Sequence, residues 1–287
     1  MTFVYDPWMI RDRTFDEVCR FASEKGYDAI ELSPRDDFIP LFEPPPATGD
    51  QIAELKRSLR SHEVDLVSLW TVYRWAEPDD PEACGAAVER FRRFIEIAVE
   101  LECPHISSEF SGQPEDPEGS EAAFRRSMDK VLPVVEREGV TLAIDPHPGD
   151  FLEDGYRAMD LIRDVGSDHL KFLYSAPHTF FMDDKSDMAA LIRYVAADTT
   201  FVRCADTLNH RIPLRFIVNP LGAPVVVHQH LNIGEGELDW DVFFRTFSEV
   251  GYNGPFSNSV FAWTDKVDES AERMLDLMKA HSARHSK

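Results

Sequence analysis

The chain is 287 residues long, 43% hydrophobic, with a formal net charge of −22. That apolar share supports a large core and excludes a disordered or fibrous chain, while the length allows one large domain or two small ones. The negative field repels DNA, RNA and anionic lipid unless basic residues are locally concentrated, and Arg57, Arg60, Arg90, Arg92 and Arg93 fall on helical segments where solvent exposure accounts for them.

Short apolar runs predict strands at Thr2–Tyr5, Asp28–Leu32, Val64–Leu69, His105–Ser108, Thr141–Asp145, Lys171–Tyr174, Thr200–Ala205 and Phe256–Val260. Between them, helical periodicity falls near 14–25, 51–62, 80–100, 119–138, 155–167, 185–197 and 239–249, with 265–281 closing the chain. The 80–100 segment is the clearest. Val88, Phe91, Phe94, Ile95 and Ala98 recur at steps of three and four, while Glu89, Arg92 and Arg93 fall off the stripe.

Eight strand–helix repeats with crossovers of this length suit parallel strands covered by helices. In one chain of this size they favour a single-domain α/β fold, the closed (β/α)8 barrel, over residues 1–281. The polar tail 282–287 is expected to fray. An open doubly wound sheet binding a dinucleotide would need a glycine-rich first turn, and Tyr5-Asp6-Pro7-Trp8 is not one. Cys19, Cys84, Cys103 and Cys204 form no CxxC pair, and neither a basic, apolar leader nor a run of about 18 apolar residues is present. A reducing cytoplasm is the expected compartment, with Cys103 and Cys204 as buried thiols.

A barrel gathers its chemistry where strands give way to the following loops. Asp6, Glu31, Ser33, Trp70, Glu109, Asp145, His147, Ser175, His178, Arg203, Asp206, Asn258 and Ser259 stand at such positions and together mark one mouth. Two long loops, about 33–50 and 206–237, are placed to cover it. The second holds Phe216-Ile217-Val218 and Pro224–Val227 and should be ordered.

The strongest local signal is His228-Gln229-His230, ahead of Gly234-Glu235-Gly236 and Trp240. Two histidines at i and i+2 on an extended segment face one side. With His178 from another strand end they make a three-imidazole set with an open position, a catalytic zinc arrangement; Mn²⁺ also accepts such ligands. Histidines bonded to loop backbone are the simpler alternative. Asp145-Pro146-His147-Pro148-Gly149 places a carboxylate at a strand end and a histidine between prolines, which suits a ligand or a general base and equally a plain turn. Glu109 supplies another carboxylate one strand away, and paired carboxylates can divide acid and base roles.

Arg203 interrupts an otherwise apolar strand. If it points into the barrel it needs a carboxylate partner, for which Asp145 and Glu109 are candidates, or it clamps an anionic group of a substrate. Asp206 suits a metal ligand or a residue that orients a histidine. Trp70, Tyr73, Trp75 and Phe110 could form an apolar wall for a sugar ring, or simply core. No P-loop, GxGxxG or G-x-S-x-G elbow is present, and Gly234-Glu235-Gly236 reads as a tight turn before a helix starting at Asp239.

Glu109-Phe110-Ser111-Gly112, Ile144-Asp145-Pro146-His147-Pro148, Pro177-His178-Thr179-Phe180, Ala205-Asp206-Thr207, Asn219-Pro220 and His228-Gln229-His230 through Trp240 together resemble the xylose isomerase-like TIM-barrel superfamily. The similarity runs over nearly the whole chain, and its branch is the inositol-catabolism proteins of the sugar phosphate isomerase/epimerase, IolH type. The resemblance implies a TIM barrel that holds a divalent metal, Mn or Zn, and acts on an inositol-derived ketone, a sugar or a sugar phosphate. The reaction it implies is proton abstraction beside a carbonyl, with the metal holding the ene-diolate. It also implies a small-molecule polyol or sugar partner and a homodimer, while the net charge and the lack of a long apolar run point to no nucleic acid and no membrane.

Members of the superfamily usually place Glu, Asp, His and Glu at four mouth positions. This chain places Asp145, Ser175, Arg203 and Ser259 there, and only Asp145 could still be a ligand. The multi-zinc apurinic-site endonucleases of the same superfamily carry a histidine resembling His178 and an acid-x-His pair resembling His228-Gln229-His230. A displaced metal site on His178, His228 and His230, completed by Asp206 or Glu109, is therefore expected. Asp145, His147 and Glu109 are the catalytic candidates, and Arg203, Trp70, Phe110 and Ser175 the substrate-binding ones. Two other readings stay open: a lyase or C-glycoside-cleaving subunit acting by elimination, and a metal-free sugar-binding barrel.

Overall fold

The computed structural model describes residues 1–32, 48–181, 187–209 and 228–285, together with the backbone of 214–215 and 224–225. Eight parallel strands close on themselves in sequential order: β1 Thr2–Tyr5, β2 Ala29–Leu32, β3 Asp65–Trp70, β4 His105–Glu109, β5 Thr141–Asp145, β6 Leu170–Ser175, β7 Thr199–Cys204 and β8 Pro255–Asn258. Closure is made by β8 pairing with β1, from Thr2↔Pro255 to Tyr5↔Asn258. Each strand lies within two residues of its sequence-based boundaries.

The helices lie outside, in the order α1 Phe15–Lys25, α2 Gly49–His62, α3 Pro81–Glu100, α4 Pro117–Glu138, α5 Gly155–Val165, α6 Ala176–Phe181, α7 Met188–Val195, α8 Trp240–Glu249 and α9 Val267–His285. Their ends are written in the sequence. Thr14 and Glu17 form a reciprocal capping box on α1, and Gly26 closes it at φ +82°. Asp80-Pro81 and Asp116-Pro117 start α3 and α4 with a carboxylate cap and a proline in the first turn. The predicted α3 stripe of Val88, Phe91, Phe94, Ile95 and Ala98 is buried, each large side chain contributing roughly 1.5–3 kcal/mol.

Two expectations are corrected. The short helix α6, which carries His178, is absent from the sequence-based prediction because its six residues span too few turns for a periodic stripe. The expected frayed tail is largely helical: α9 runs to His285, whose carbonyl accepts from Ser248 Oγ at 2.6 Å and whose Nε2 lies 3.0 Å from Asp241 Oδ1. Most of the 33–50 loop lies outside the described residues. So do Phe216-Ile217-Val218 of the second loop, whose Leu214–Arg215 and Pro224–Val225 form an antiparallel pair.

The inside of the barrel explains where the site sits. Val4, Ala29, Ala143, Leu173 and Phe201 form their own buried cluster, with Val67 against it. Side chains alternate along a strand, so two residues further on the same inner columns reach Asp6, Glu31, Asp145, Ser175 and Arg203 at the C-terminal rim. An apolar plug thus supports a polar floor. No helix among the described residues is long and apolar enough to cross a membrane, and the four cysteines are free.

Candidate active site

Three imidazoles meet over the β5–β6 side of this floor. One ligand atom from each of His147, His178 and His228 lies within 4.8 Å of the others. The ring centroids are 4.5 Å apart for His147–His178, 4.9 Å for His147–His228 and 4.6 Å for His178–His228. His230 stands beside them, its centroid 5.3 Å from that of His178 and 5.2 Å from that of His228.

Local structure delivers each ring. His147 follows β5 between two prolines, and His178 rides on α6 directly after β6. His228 and His230 come from the far end of the long loop, which is fastened by reciprocal backbone bonds of 2.9 Å between Asp206 and Leu231.

Asp206 is the organiser of that segment, and the expectation that it ligates a metal is corrected here. Its carboxylate accepts from the backbone N–H of Thr207, Gly234 and Leu238 and from Trp240 Nε1, at 2.8–3.2 Å. Gly234-Glu235-Gly236 is the turn that wraps it: a Cβ on Gly236 would stand 2.3 Å from Asp206 Oδ1. A carboxylate holding four donors has spent its lone pairs on architecture.

The imidazoles are oriented from behind. His178 Nδ1 lies 2.6 Å from Asp145 Oδ2, and His230 Nδ1 lies 2.6 Å from the Ser259 carbonyl while its ring stacks on Phe261 at 4.1 Å. An acceptor at Nδ1 places the proton there and leaves Nε2 with a lone pair, the arrangement found behind metal-bound histidines.

Burial, and then the neighbouring imidazoles, hold His178 and His228 well below the ordinary histidine value. Burial also lowers His147, and it pulls His230 down to about 3, with the Ser259 carbonyl opposing. Four neutral imidazoles so close together fit a divalent cation. His147 thereby joins the candidate ligand set, beside the expected His178 and His228.

Carboxylates border the cluster. Glu109, register partner of Asp145, has Oε1 3.7 Å from His147 Nε2. Asp150, which sequence reasoning did not single out, accepts from the Ser111 backbone N–H at 2.7 Å and forms a second close group with Glu109 and His147. Burial and then Glu109 push Asp145 well above the usual carboxylate range and Asp150 up to about 7.

The opposite side of the floor carries a buried ion pair. Arg203 donates from Nε and Nη2 to the two oxygens of Glu31, at 3.2 and 2.6 Å, with side-chain exposures of 4% and 1%. The expected partners Asp145 and Glu109 are replaced by Glu31, 172 residues away in sequence. Trp70 lies 5.0 Å from the guanidinium, ring centroid to Cζ. Phe110, expected as a possible sugar wall, is fully buried against Phe124 and Phe151 and belongs to the core. Ser175, beside Arg203 in the β6–β7 register, is buried.

The family model for the xylose isomerase-like TIM barrel matches residues 19–278. The chain belongs to that family. No curated protein matches its sequence. Among solved structures, this xylose isomerase-like barrel is similar to the IolI protein with a bound zinc atom, at TM-score 0.79 and 14% identity over 99% of both chains. A D-psicose 3-epimerase in the presence of D-fructose gives TM-score 0.76 and 14% identity over 98% of this chain and 99% of that one. The D-psicose 3-epimerase of Clostridium cellulolyticum H10 with D-tagatose gives 0.76 and 15% over the same shares. Identities this low carry the barrel and not the chemistry. Of Asp145, Ser175, Arg203 and Ser259, expected at the family's four ligand positions, Arg203 forms an ion pair with Glu31.

Proposed function

We propose that this protein is a divalent-metal-dependent isomerase or epimerase of an inositol-derived ketone, a sugar or a sugar phosphate. The observation that carries the reading is the convergence of His147, His178 and His228, with a carboxylate behind His178 and another beside His147. Three neutral imidazoles with an open side suit Zn²⁺, and Mn²⁺ remains compatible. Relatives of the same fold solved with zinc or with ketohexoses are in keeping with it.

A bound ion would supply a Lewis acid for a carbonyl and its neighbouring hydroxyl. The protein groups do the rest. Glu109 is the base: it accepts the proton on the carbon next to the carbonyl, the C–H pair becomes the new C=C bond, and the carbonyl π pair moves onto oxygen. Delivery of a proton to the opposite face by a second acid inverts that carbon; return of the proton held by Glu109 to the former carbonyl carbon, with the hydroxyl proton passing to the former carbonyl oxygen, gives the isomer. Asp145 orients His178, which removes it from the role of base. His230 packs beside the three ligands as a fourth imidazole.

The test is metal content by elemental mass spectrometry on protein purified without added metal. About one equivalent of Zn or Mn is expected, absent from the His147→Ala/His178→Ala/His228→Ala variant. Deuterium from solvent should enter the exchangeable C–H of an inosose or ketose only in the loaded protein. No metal in the wild type, even after loading with Mn²⁺, Zn²⁺ and Co²⁺, would leave the metal-free sugar-binding barrel as the better reading, which Arg203, expected at one of the family's ligand positions and paired there with Glu31, favours.

A further inference from the structure

We propose that Arg203 is a fixed cation of the substrate site, which receives on the open end of its guanidinium the planar pair of oxygens of an ene-diolate. The inference rests on the isomerase reading and names a further group that acts on the same intermediate as the imidazoles.

Three observations carry it. The first is what the guanidinium has already spent. Glu31 takes the side edge, Nε and Nη2, and Trp70 lies 5.0 Å away. Among the described residues Nη1 donates to no protein acceptor, and Nη2 makes only the Glu31 bond. Nη1 is not buried away from the cleft, so that end of the guanidinium can meet a polar ligand.

The second is what stands around that end. The Oγ of Ser175, the register partner of Arg203, is buried without a hydrogen-bond partner, and so is Asp145 Oδ1. Arg203 acts electrostatically on Asp145, His147, His178 and His230, so the guanidinium and the imidazoles share one mouth. Buried polar groups without a protein partner on neighbouring strands leave hydrogen-bonding capacity that a polar ligand can take up.

The third is shape. Nη1 and Nη2 form a planar fork that matches two coplanar oxygens sharing negative charge. In a hydroxyketone that arrangement exists only after the proton has left, so the contact strengthens as the reaction proceeds. Glu31 and Trp70 hold the fork in place beforehand, which spares reorganisation at that moment. Glu31 is thus a positioning residue for Arg203.

The experiment compares zinc-loaded wild type with the Glu31→Gln/Arg203→Met variant, which removes both charges of the pair together. Calorimetry is run with glycolohydroxamate, a planar mimic of an ene-diolate, and with D-glucuronate, a carboxylate that needs no proton loss. The expected result is roughly 10- to 100-fold weaker hydroxamate binding in the variant, at unchanged zinc content and melting temperature. An Arg203→Lys variant, which keeps the charge but lacks the fork, should show the same loss and guards against misfolding of the first. Equal hydroxamate affinity in the zinc-loaded chains would overturn the inference while leaving the metal centre intact. A loss confined to glucuronate would also overturn it, assigning Arg203 to a substrate carboxylate. Failure of the wild type to bind zinc is a separate result, and overturns the reading on which the inference stands.

Discussion

The two sides of the barrel mouth bury comparable amounts of polar chemistry and satisfy it in opposite ways. On the β2–β7 side, Arg203 and Glu31 answer each other within the protein. On the β5–β6 side, four histidines face one another with acceptors at two of their Nδ1 atoms. The first side carries its cation as a side chain; in the proposed function the second receives one. The difference teaches that an arginine at position 203 is compatible with the imidazole cluster, because its charge is answered by Glu31 and the imidazoles come from other segments.

The largest effect should come from breaking the internal pair on one side only. Arg203→Met leaves the Glu31 carboxylate buried without its cation, and removal of one partner of a buried pair costs about 3–5 kcal/mol. The double variant Glu31→Gln/Arg203→Met should recover most of that, since exchange of the whole pair for uncharged groups of similar volume is often neutral. Urea unfolding of the two variants measures the difference. Equal destabilisation in both would mean that the pair is not one energetic unit.

Asp6 sharpens the same side through pH. Burial, and then the Glu31 charge, raise its carboxyl to about 7, against the opposing pull of Arg203. The unfolded value is near 3.9, so between roughly pH 4 and 7 the folded chain holds the extra proton. Stability from this group is complete below the unfolded value and is lost as pH rises through 7. Asp6→Asn mimics the protonated form and can still accept from the Trp8 N–H. The variant should gain on the wild type by about 2–3 kcal/mol between pH 5 and 8. A gap that does not change with pH would show that Asp6 is ionised in the fold at both ends of that range.

How much of this was legible follows from which physics each feature uses. The eight strands and the α3 stripe follow from periodicity, and Asp239 announced the start of α8 because a cap is a local event. Arg203 stood out as a charge inside an apolar run; the same signal marks Glu31 in Ala29-Ile30-Glu31-Leu32, yet nothing local says that the two meet across the barrel. His178 and His228 were legible as candidate imidazoles. The grouping of His147, rather than the expected His230 or Asp206, with His178 and His228 was not, because it depends on the turn that closes over Asp206 and on the proline-bounded path of His147. Phe110 shows the limit from the other side: an aromatic next to a strand end reads equally as wall or as core until its neighbours Phe124 and Phe151 are known.

The smallest effect tests the second side. Asp145 is fully buried, and its Oδ2 lies 2.6 Å from His178 Nδ1. In Asp145→Asn the amide oxygen can still accept from Nδ1–H, so the ring keeps its tautomer and direction while losing the charge behind it. Loss of such an orienting carboxylate typically weakens metal affinity about 10- to 100-fold, and the retained hydrogen bond argues for the lower end of that range. Competition with a chelator of known affinity reads it directly. Affinity equal to that of the wild type would mean that Asp145 shapes the pocket without tuning the imidazole. Complete loss of binding would make the carboxylate itself a ligand through Oδ1, which has no other partner among the described residues, and would move the metal toward the barrel axis, nearer to Arg203 than three imidazoles alone would place it.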